Sequence, residues 1–355
     1  MKLKVGILGA TGAVGQKFVR LLENHPWFEI SAVAASSRSA GRPYREAVNW
    51  VESTPIPASI KDVIVSEAKP GLDCDFVFSG LDSSVAGEIE GAFADAGYPV
   101  ISNARNHRME KDVPLLIPEV NPDHLELVGR QNRAGGGFIV TNPNCATVGL
   151  ALALKPLHDA FGIEAVNVTT MQALSGAGYP GVASLDALGN VVPYISGEED
   201  KLATESHKIL GELTDEGIQN ETFVVSAQCN RVPVMEGHLE CVSVKFRIPS
   251  TIEAVRKAFE HFESPEQISG LPSAPERVLE LLEDVDGPQP RKHVYAGDGM
   301  TVTVGRVREC ELLDAKFVVL SHNTVRGAAG GAILNAEALA SKGMLQKRDE
   351  LTSGG

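Results

Sequence analysis

Two short stretches carry residue types and spacings that could do chemistry. The first is Thr141-Asn142-Pro143-Asn144-Cys145-Ala146-Thr147. Asn-Pro-Asn is a turn signal, and an apolar run of helical period follows it. Cys145 therefore stands at a predicted helix start, where the dipole and free N–H groups lower a thiol pKa and can hold an oxyanion. The second is Gly9-Ala-Thr-Gly12-Ala-Val-Gly15, close behind the N-terminus. Small residues between a strand and a helix let backbone N–H groups approach a pyrophosphate. By itself the triplet also fits a tight turn that binds nothing. Together the two stretches describe chemistry in which a carbon is tied to sulfur and then exchanges a hydride with a nicotinamide.

A thiol nucleophile needs a base. His238, in Arg231-Val-Pro-Val-Met-Glu-Gly-His238, follows a glycine at a strand start, seven residues after Arg231. Spacing alone does not separate it from a satisfied core histidine, nor Arg231 from a salt-bridge partner. Cys74, Cys229, Cys241 and Cys310 read as structural. After the second strand comes Ala34-Ala35-Ser36-Ser37-Arg38. Hydroxyls and a cation stand where NAD enzymes carry an acid, which favours a 2′-phosphate and hence NADP(H).

The elements that position these groups follow from periodicity. Leu3–Leu8, Phe28–Ala35, 75–79, Pro99–Ser102 and Phe138–Thr141 read as strands, with a helix over 16–24. Alternation of strand and helix predicts a Rossmann doubly wound parallel sheet in residues 1–144. A helix over 146–160 and longer strands over 165–173 and 238–248 predict a mostly antiparallel α+β domain in 145–322, which carries Cys145 and His238. Residues 251–260 read as helix, 317–321 as strand and 264–292 as irregular. The Gly/Pro-rich stretch 175–199 suits a functional loop or interface arm. Residues 323–355, helical from Asn323 to Leu339 and frayed at the end, are expected to complete the first domain.

Bulk composition narrows the class. The 355 residues are 43% hydrophobic and 22% charged, with a formal net charge of −14. That balance disfavours nucleic acid as a partner and leaves room for a small anion held by local cations. The five cysteines show no CxxC pair, so neither a disulfide framework nor a metal knuckle is expected. No signal peptide or membrane-length apolar run is read, so a cytoplasmic enzyme is the expectation.

With these residues in hand the chain resembles the aspartate-β-semialdehyde dehydrogenases of archaeal and fungal type. The resemblance runs nearly end to end: GATGAVG (9–15), ASSRSAG (35–41), SNARNHRM (102–109), PLLIPEVNP (114–122), TNPNCAT (141–147), MQALSGAGYPG (171–181), SGEEDK (196–201), RVPVMEGH (231–238) and NTVRGAAGG (323–331). It implies a fold like glyceraldehyde-3-phosphate dehydrogenase and NADPH-dependent reduction of aspartyl 4-phosphate to the semialdehyde, on the way to Lys, Met and Thr. It also implies a homodimer or homotetramer, with 145–322 as the catalytic and oligomerisation domain. By the same resemblance Cys145 is the thioester nucleophile, His238 the acid/base and Gln172 the residue that orients the thioester. Arg231 would hold the substrate carboxylate and Glu198 its ammonium, with Glu199 adjacent as an alternative. Arg108, with Lys201, Asn103 and Asn144, would complete the substrate and phosphate subsite. Gly9, Thr11, Gly12, Ala13 and Val14 would meet the pyrophosphate, Ser36, Ser37 and Arg38 the ribose phosphate, and Ser79, Gly176 and Asn323 the rest of the cofactor.

Three rivals stand beside this expectation. N-acetyl-γ-glutamyl-phosphate reductases usually follow the cysteine with tyrosine, where Ala146-Thr147 stand here. Malonyl-CoA reductases look very similar in sequence. A non-catalytic NADP-binding sensor would keep the fold but need neither Cys145 nor His238.

Overall fold

The computed structural model describes residues 2–347. Expectations for the tail beyond 347 lie outside the described residues. The first half alternates strand and helix: β1 (Leu3–Leu8), α1 (Ala13–Leu21), β2 (Phe28–Ala35), α2 (Tyr44–Ala47), β3 (Ser66–Glu67), β4 (Phe76–Ser79), α3 (Ser83–Asp95), β5 (Pro99–Ser102) and β6 (Phe138–Thr141). The six strands form one parallel sheet in the order β3-β2-β1-β4-β5-β6. This is the dinucleotide-binding strand order, whose ligand crevice opens where the order reverses, beside β1 and β4. Gly9 ends β1 there with φ +77°, and a Cβ on it would stand 2.7 Å from the Gly80 carbonyl at the end of β4. Only glycine fits that approach. Gly12 caps α1, so the helix begins at Ala13, three residues before the expected start.

The second half contains α4 (Cys145–Phe161), β7 (Ile163–Gln172), α5 (Ser184–Ala187), α6 (Glu198–Ile209), β8 (Glu212–Thr214), β9 (Gly217–Gln219), β10 (Val224–Arg231), β11 (His238–Phe246), α7 (Ile252–Glu260), α8 (Glu266–Ser269), β12 (Leu279–Leu282), α9 (Pro290–His293), β13 (Val302–Glu309) and β14 (Ala315–Ser321). Its main sheet runs β10-β7-β11-β14-β13-β12. The three inner pairings are antiparallel and the two outer ones parallel. α4 is apolar almost all round and is buried from Ala146 to Leu154, as expected of a helix packed between a sheet and other helices.

The chain then returns to the first half. A π-turn over Val325–Ala329 leads into α10 (Gly330–Ser341), and Ala332, Ile333, Leu334 and Leu339 join the core that holds Val5, Ile7 and Phe78. The stretch 264–292 is less irregular than its Pro and acidic content implied. It supplies β12, whose parallel register with β13 (Leu279↔Val302 to Leu282↔Gly305) closes the sheet edge. Between Ser175 and Gly197 only a short turn and α5 are ordered as helix, and Leu185, Leu188 and Tyr194 are left exposed.

Candidate active site

Cys145 is the first residue of α4, and the sequence builds that start in detail. Asn144 is the N-cap: its Oδ1 accepts from Ala146 N at 3.0 Å and Thr147 N at 3.4 Å. Its Nδ2 donates to both oxygens of Glu198 at 3.0 Å. Behind the cysteine runs the 325–331 turn, where a Cβ on Gly327 would lie 2.8 Å from Cys145 Cα. Cys145 is thus clamped between its own cap and a glycine backbone.

His238 opens β11, and its Nε2 lies 3.1 Å from Cys145 Sγ. Its Nδ1 accepts from Ala173 N at 3.1 Å, and a hydrogen bond with the Gly237 backbone favours the charged ring. The electrostatics differ from the expected low-pKa thiol. Burial first, then Glu198, push the Cys145 thiol up to about 12, against the pull of Arg108, Arg231 and Lys201. Burial first, then Arg231, push His238 down to about 3. The dipole at the helix start is outweighed by desolvation, and the resting pair is a neutral thiol beside a neutral imidazole.

The substrate candidates gather round this pair. Arg231, at the end of β10, donates to Ala173 O at 2.7 Å, and its charge acts on Cys145. Gly176 lies against the Arg231 guanidinium and the His238 ring. Gln172, the last residue of β7, directs Nε2 to Thr170 Oγ1 and Glu198 Oε2, both at 3.3 Å. Glu198 faces inward, buried and ion-paired to Lys201 at 2.6 Å. Burial raises its pKa, but the contacts from Lys201, Asn144 and Gln172 bring it below the ordinary carboxylate range. Glu199 is exposed and turns to Cys229 N on β10, so of the two only Glu198 is buried beside Gln172 and Asn144. Arg108 is buried and donates to Asn103 O at 2.7 Å; the Asn103 side chain accepts from Asn142 at 3.1 Å.

Of the cofactor candidates, Ala13 lines the cavity beside the sheet switch point. Thr11, Gly12, Ala13 and Val14 form the α1 N-terminus, which no side chain caps among the described residues. Ser36, Ser37 and Arg38 are exposed at the end of β2. A cavity of about 420 Å³ runs from Ala13 to Ser175, Tyr179, Glu236 and Thr324. Asn323 borders it, accepting from Gly237 N and donating to Ser175 Oγ, both at 2.8 Å. Ser79 sits differently: its side chain is fully buried in β4, and its carbonyl is taken by Asn103 N. An uncapped helix end, an exposed Ser/Arg turn and a cavity joining the α1 start to Ser175 and Glu236 fit a dinucleotide. Among the described residues no cluster of three metal-ligating side chains exists.

Three buried charged residues in or behind the site escaped sequence reasoning. Glu205 accepts from both Arg108 Nη1 at 2.8 Å and Asn144 N at 2.7 Å. Lys208 donates to the carbonyls of Arg108, Glu110 and Val113. Glu240 shares the inward face of β11 with His238, and both its oxygens lack a partner among the described residues. The repeat of Glu198, Lys201, Glu205 and Lys208 along one helix face was the available signal, but it matches a solvated helix equally well.

A Rossmann-type domain joined to an α+β domain, with a Cys–His pair where they meet, defines the class: a two-domain dehydrogenase with a cysteine and a histidine in contact at its centre. Family models agree, matching a semialdehyde dehydrogenase NAD-binding domain over residues 4–128 and a semialdehyde dehydrogenase dimerisation domain over residues 154–326. The chain is 50% identical over 361 residues to the aspartate-semialdehyde dehydrogenase of Candida albicans, covering 96% of this chain and 99% of that one. It is also 50% identical over 340 residues to that of Archaeoglobus fulgidus, covering 95% and 98%. A crystal structure of the Candida albicans enzyme with NADP superposes with a TM-score of 0.90 at 47% identity, over 97% of this chain and 100% of that one. The chain belongs to the aspartate-semialdehyde dehydrogenase family.

Proposed function

We propose that the chain catalyses the reversible, NADPH-dependent conversion of L-aspartyl 4-phosphate to L-aspartate 4-semialdehyde and phosphate, a step toward Lys, Met and Thr. The observation that carries the reading is the 3.1 Å contact between Cys145 Sγ and His238 Nε2, set among Arg231, Glu198, Lys201 and Arg108. Arg231 offers a fork to the α-carboxylate, Glu198 an anion to the ammonium, and Arg108 with Lys201 cations to the phosphate.

Ala173 N–H donates to His238 Nδ1, so the resting ring carries its proton on Nε2, facing sulfur. To act as the base the ring takes the other tautomer, and a bare Nε2 then accepts the thiol proton as sulfur attacks the acyl carbon. The negative phosphate arriving beside the ring favours the imidazolium that burial otherwise resists. The C–O bond to phosphate breaks, the phosphate leaves toward Arg108, and a Cys145 thioester remains. NADPH, when bound, supplies the hydride that reduces this thioester. The resulting tetrahedral adduct collapses to aldehyde as the C–S bond breaks, and the sulfur recovers its proton from His238. Gln172 and the start of α4 hold the acyl group and its developing oxyanion.

The proposed division of labour places the cofactor in 1–144 with the returning chain from 323, and chemistry in 145–322. A homodimer is the proposed assembly. The exposed apolar side chains Leu185, Leu188 and Tyr194 lie within the matched dimerisation domain, where a second copy would cover them.

Aspartate semialdehyde, phosphate and NADP⁺ should together yield NADPH. No turnover from a protein that still binds NADPH would defeat the substrate assignment. Malonyl-CoA and N-acetylglutamyl phosphate, assayed as NADPH oxidation, would then be the next substrates.

A further inference from the structure

α6 presents Glu198, Lys201, Glu205 and Lys208 at i, i+3, i+7 and i+10, one stripe along the helix. The first two serve the reaction proposed above. The last two are more deeply buried, at 2% and 3% exposure, and face the loop that carries Arg108. Glu205 holds two things at once: Oε1 accepts from Arg108 Nη1 at 2.8 Å and Oε2 from Asn144 N at 2.7 Å. Lys208 Nζ is 2.7 Å from the Arg108 carbonyl, 2.7 Å from that of Glu110 and 2.8 Å from that of Val113. One helix therefore grips Arg108 by its side chain and its backbone, and by the same carboxylate grips the residue before the nucleophile.

We propose that Glu205 is a positioning residue that sets the phosphate subsite at Arg108 in register with Cys145, and that Lys208 braces the Arg108 loop. The inference rests on the reading of Arg108 as a phosphate ligand. A carboxylate beside an anion-binding guanidinium weakens its attraction for phosphate, so attraction does not explain Glu205. Orientation does. With Nη1 fixed by Glu205 and Nη2 by Asn103 O, the guanidinium is held in one orientation beside Cys145, and its buried Nε has no partner among the described residues. The second oxygen ties this arrangement to the cap of α4, so leaving phosphate and attacking sulfur share one reference point.

The test is steady-state kinetics on the full-length enzyme in the semialdehyde-oxidising direction, with inorganic phosphate varied. In Glu205→Gln only one oxygen accepts, and an amide donor meets the other partner. The phosphate KM should rise about tenfold or more and kcat fall about fivefold or more, with the KM values for semialdehyde and NADP⁺ within about twofold of wild type. Glu205→Asp keeps the charge but cannot span both partners, and should raise the phosphate KM as well; it decides the matter if the glutamine variant does not fold. A merely structural role would lower thermal stability and the active fraction with the phosphate KM unchanged. A charge-balancing role would lower that KM. Either result overturns the proposal. If the wild-type enzyme shows no phosphate dependence, the reading of Arg108 falls and this inference with it. Wild-type phosphate dependence matched by both variants removes the role of Glu205 alone.

Discussion

Cys145 Sγ lies 3.1 Å from His238 Nε2, yet burial keeps the pair neutral: the thiol is pushed up to about 12 and the imidazole down to about 3. The free enzyme should therefore lack the thiolate–imidazolium pair of enzymes whose cysteine is activated at rest. Alkylation of Cys145 by iodoacetamide should climb steadily with pH, about tenfold per unit between roughly pH 7 and 9. A plateau above about pH 6 would show a preformed ion pair instead.

Glu198 and Glu199 are neighbours with opposite fates, one buried against Lys201, Asn144 and Gln172, the other turned to Cys229 N. Glu198→Gln should raise the semialdehyde KM about tenfold or more, since a buried ammonium contact is lost. Glu199→Gln should change it by less than about twofold. Kinetics of the two variants side by side decide the assignment, and equal effects would remove it.

Arg38 stands exposed with Ser36 and Ser37 at the end of β2. Arg38→Ala should raise the KM for NADP⁺ about tenfold and leave that for NAD⁺ nearly unchanged. An equal change for both cofactors would place the 2′-phosphate elsewhere.

Glu240 is fully buried, and desolvation holds its carboxyl well above the ordinary range, which favours its protonated form in the fold. The unfolded chain ionises it above about pH 4.3, and so binds fewer protons than the native state. Its stabilising contribution is present below that pH and is lost as pH rises toward the folded pKa. Glu240→Gln removes the titration. The variant should melt higher than wild type at pH 8, by a margin that shrinks toward pH 5. A margin independent of pH would contradict the protonated state.

Leu154 is fully buried in the middle of α4, in the core of the second half. Leu154→Ala should cost about 2–5 kcal/mol in denaturant unfolding. Its kcat per folded molecule should hold, because the α4 start is fixed independently by Asn144 and Gly327.

The parts of this fold that were legible in the sequence are those whose pattern has one reading. β1, β2, β5 and β6 are short apolar runs, and they occupy the expected residues. The start of α4 was visible in Asn-Pro-Asn followed by an apolar run. Other parts had two readings. β10 mixes polar and apolar residues because it lies at the sheet edge with only Cys229 and Arg231 buried. β12 is four residues long within an acidic, proline-rich stretch, and only its pairing with β13 makes it a strand. Glu205 and Lys208 look like a solvated helix face, and only tertiary packing against Arg108 reveals a buried one. The lowered thiol pKa expected from the helix dipole failed for a related reason. The dipole is local and can be read from sequence, whereas desolvation belongs to the folded whole.

The central claim is a covalent acyl-enzyme on Cys145, and omission of phosphate tests it most directly. Wild-type enzyme mixed with aspartate semialdehyde and NADP⁺ alone should release a burst of about one NADPH per active site and stall, with the aspartyl group on the Cys145 peptide by mass spectrometry. Added phosphate should then discharge the acyl group and start turnover, and Cys145→Ser should show no burst. Steady NADPH formation without phosphate, or a burst that survives in Cys145→Ser, would contradict the account.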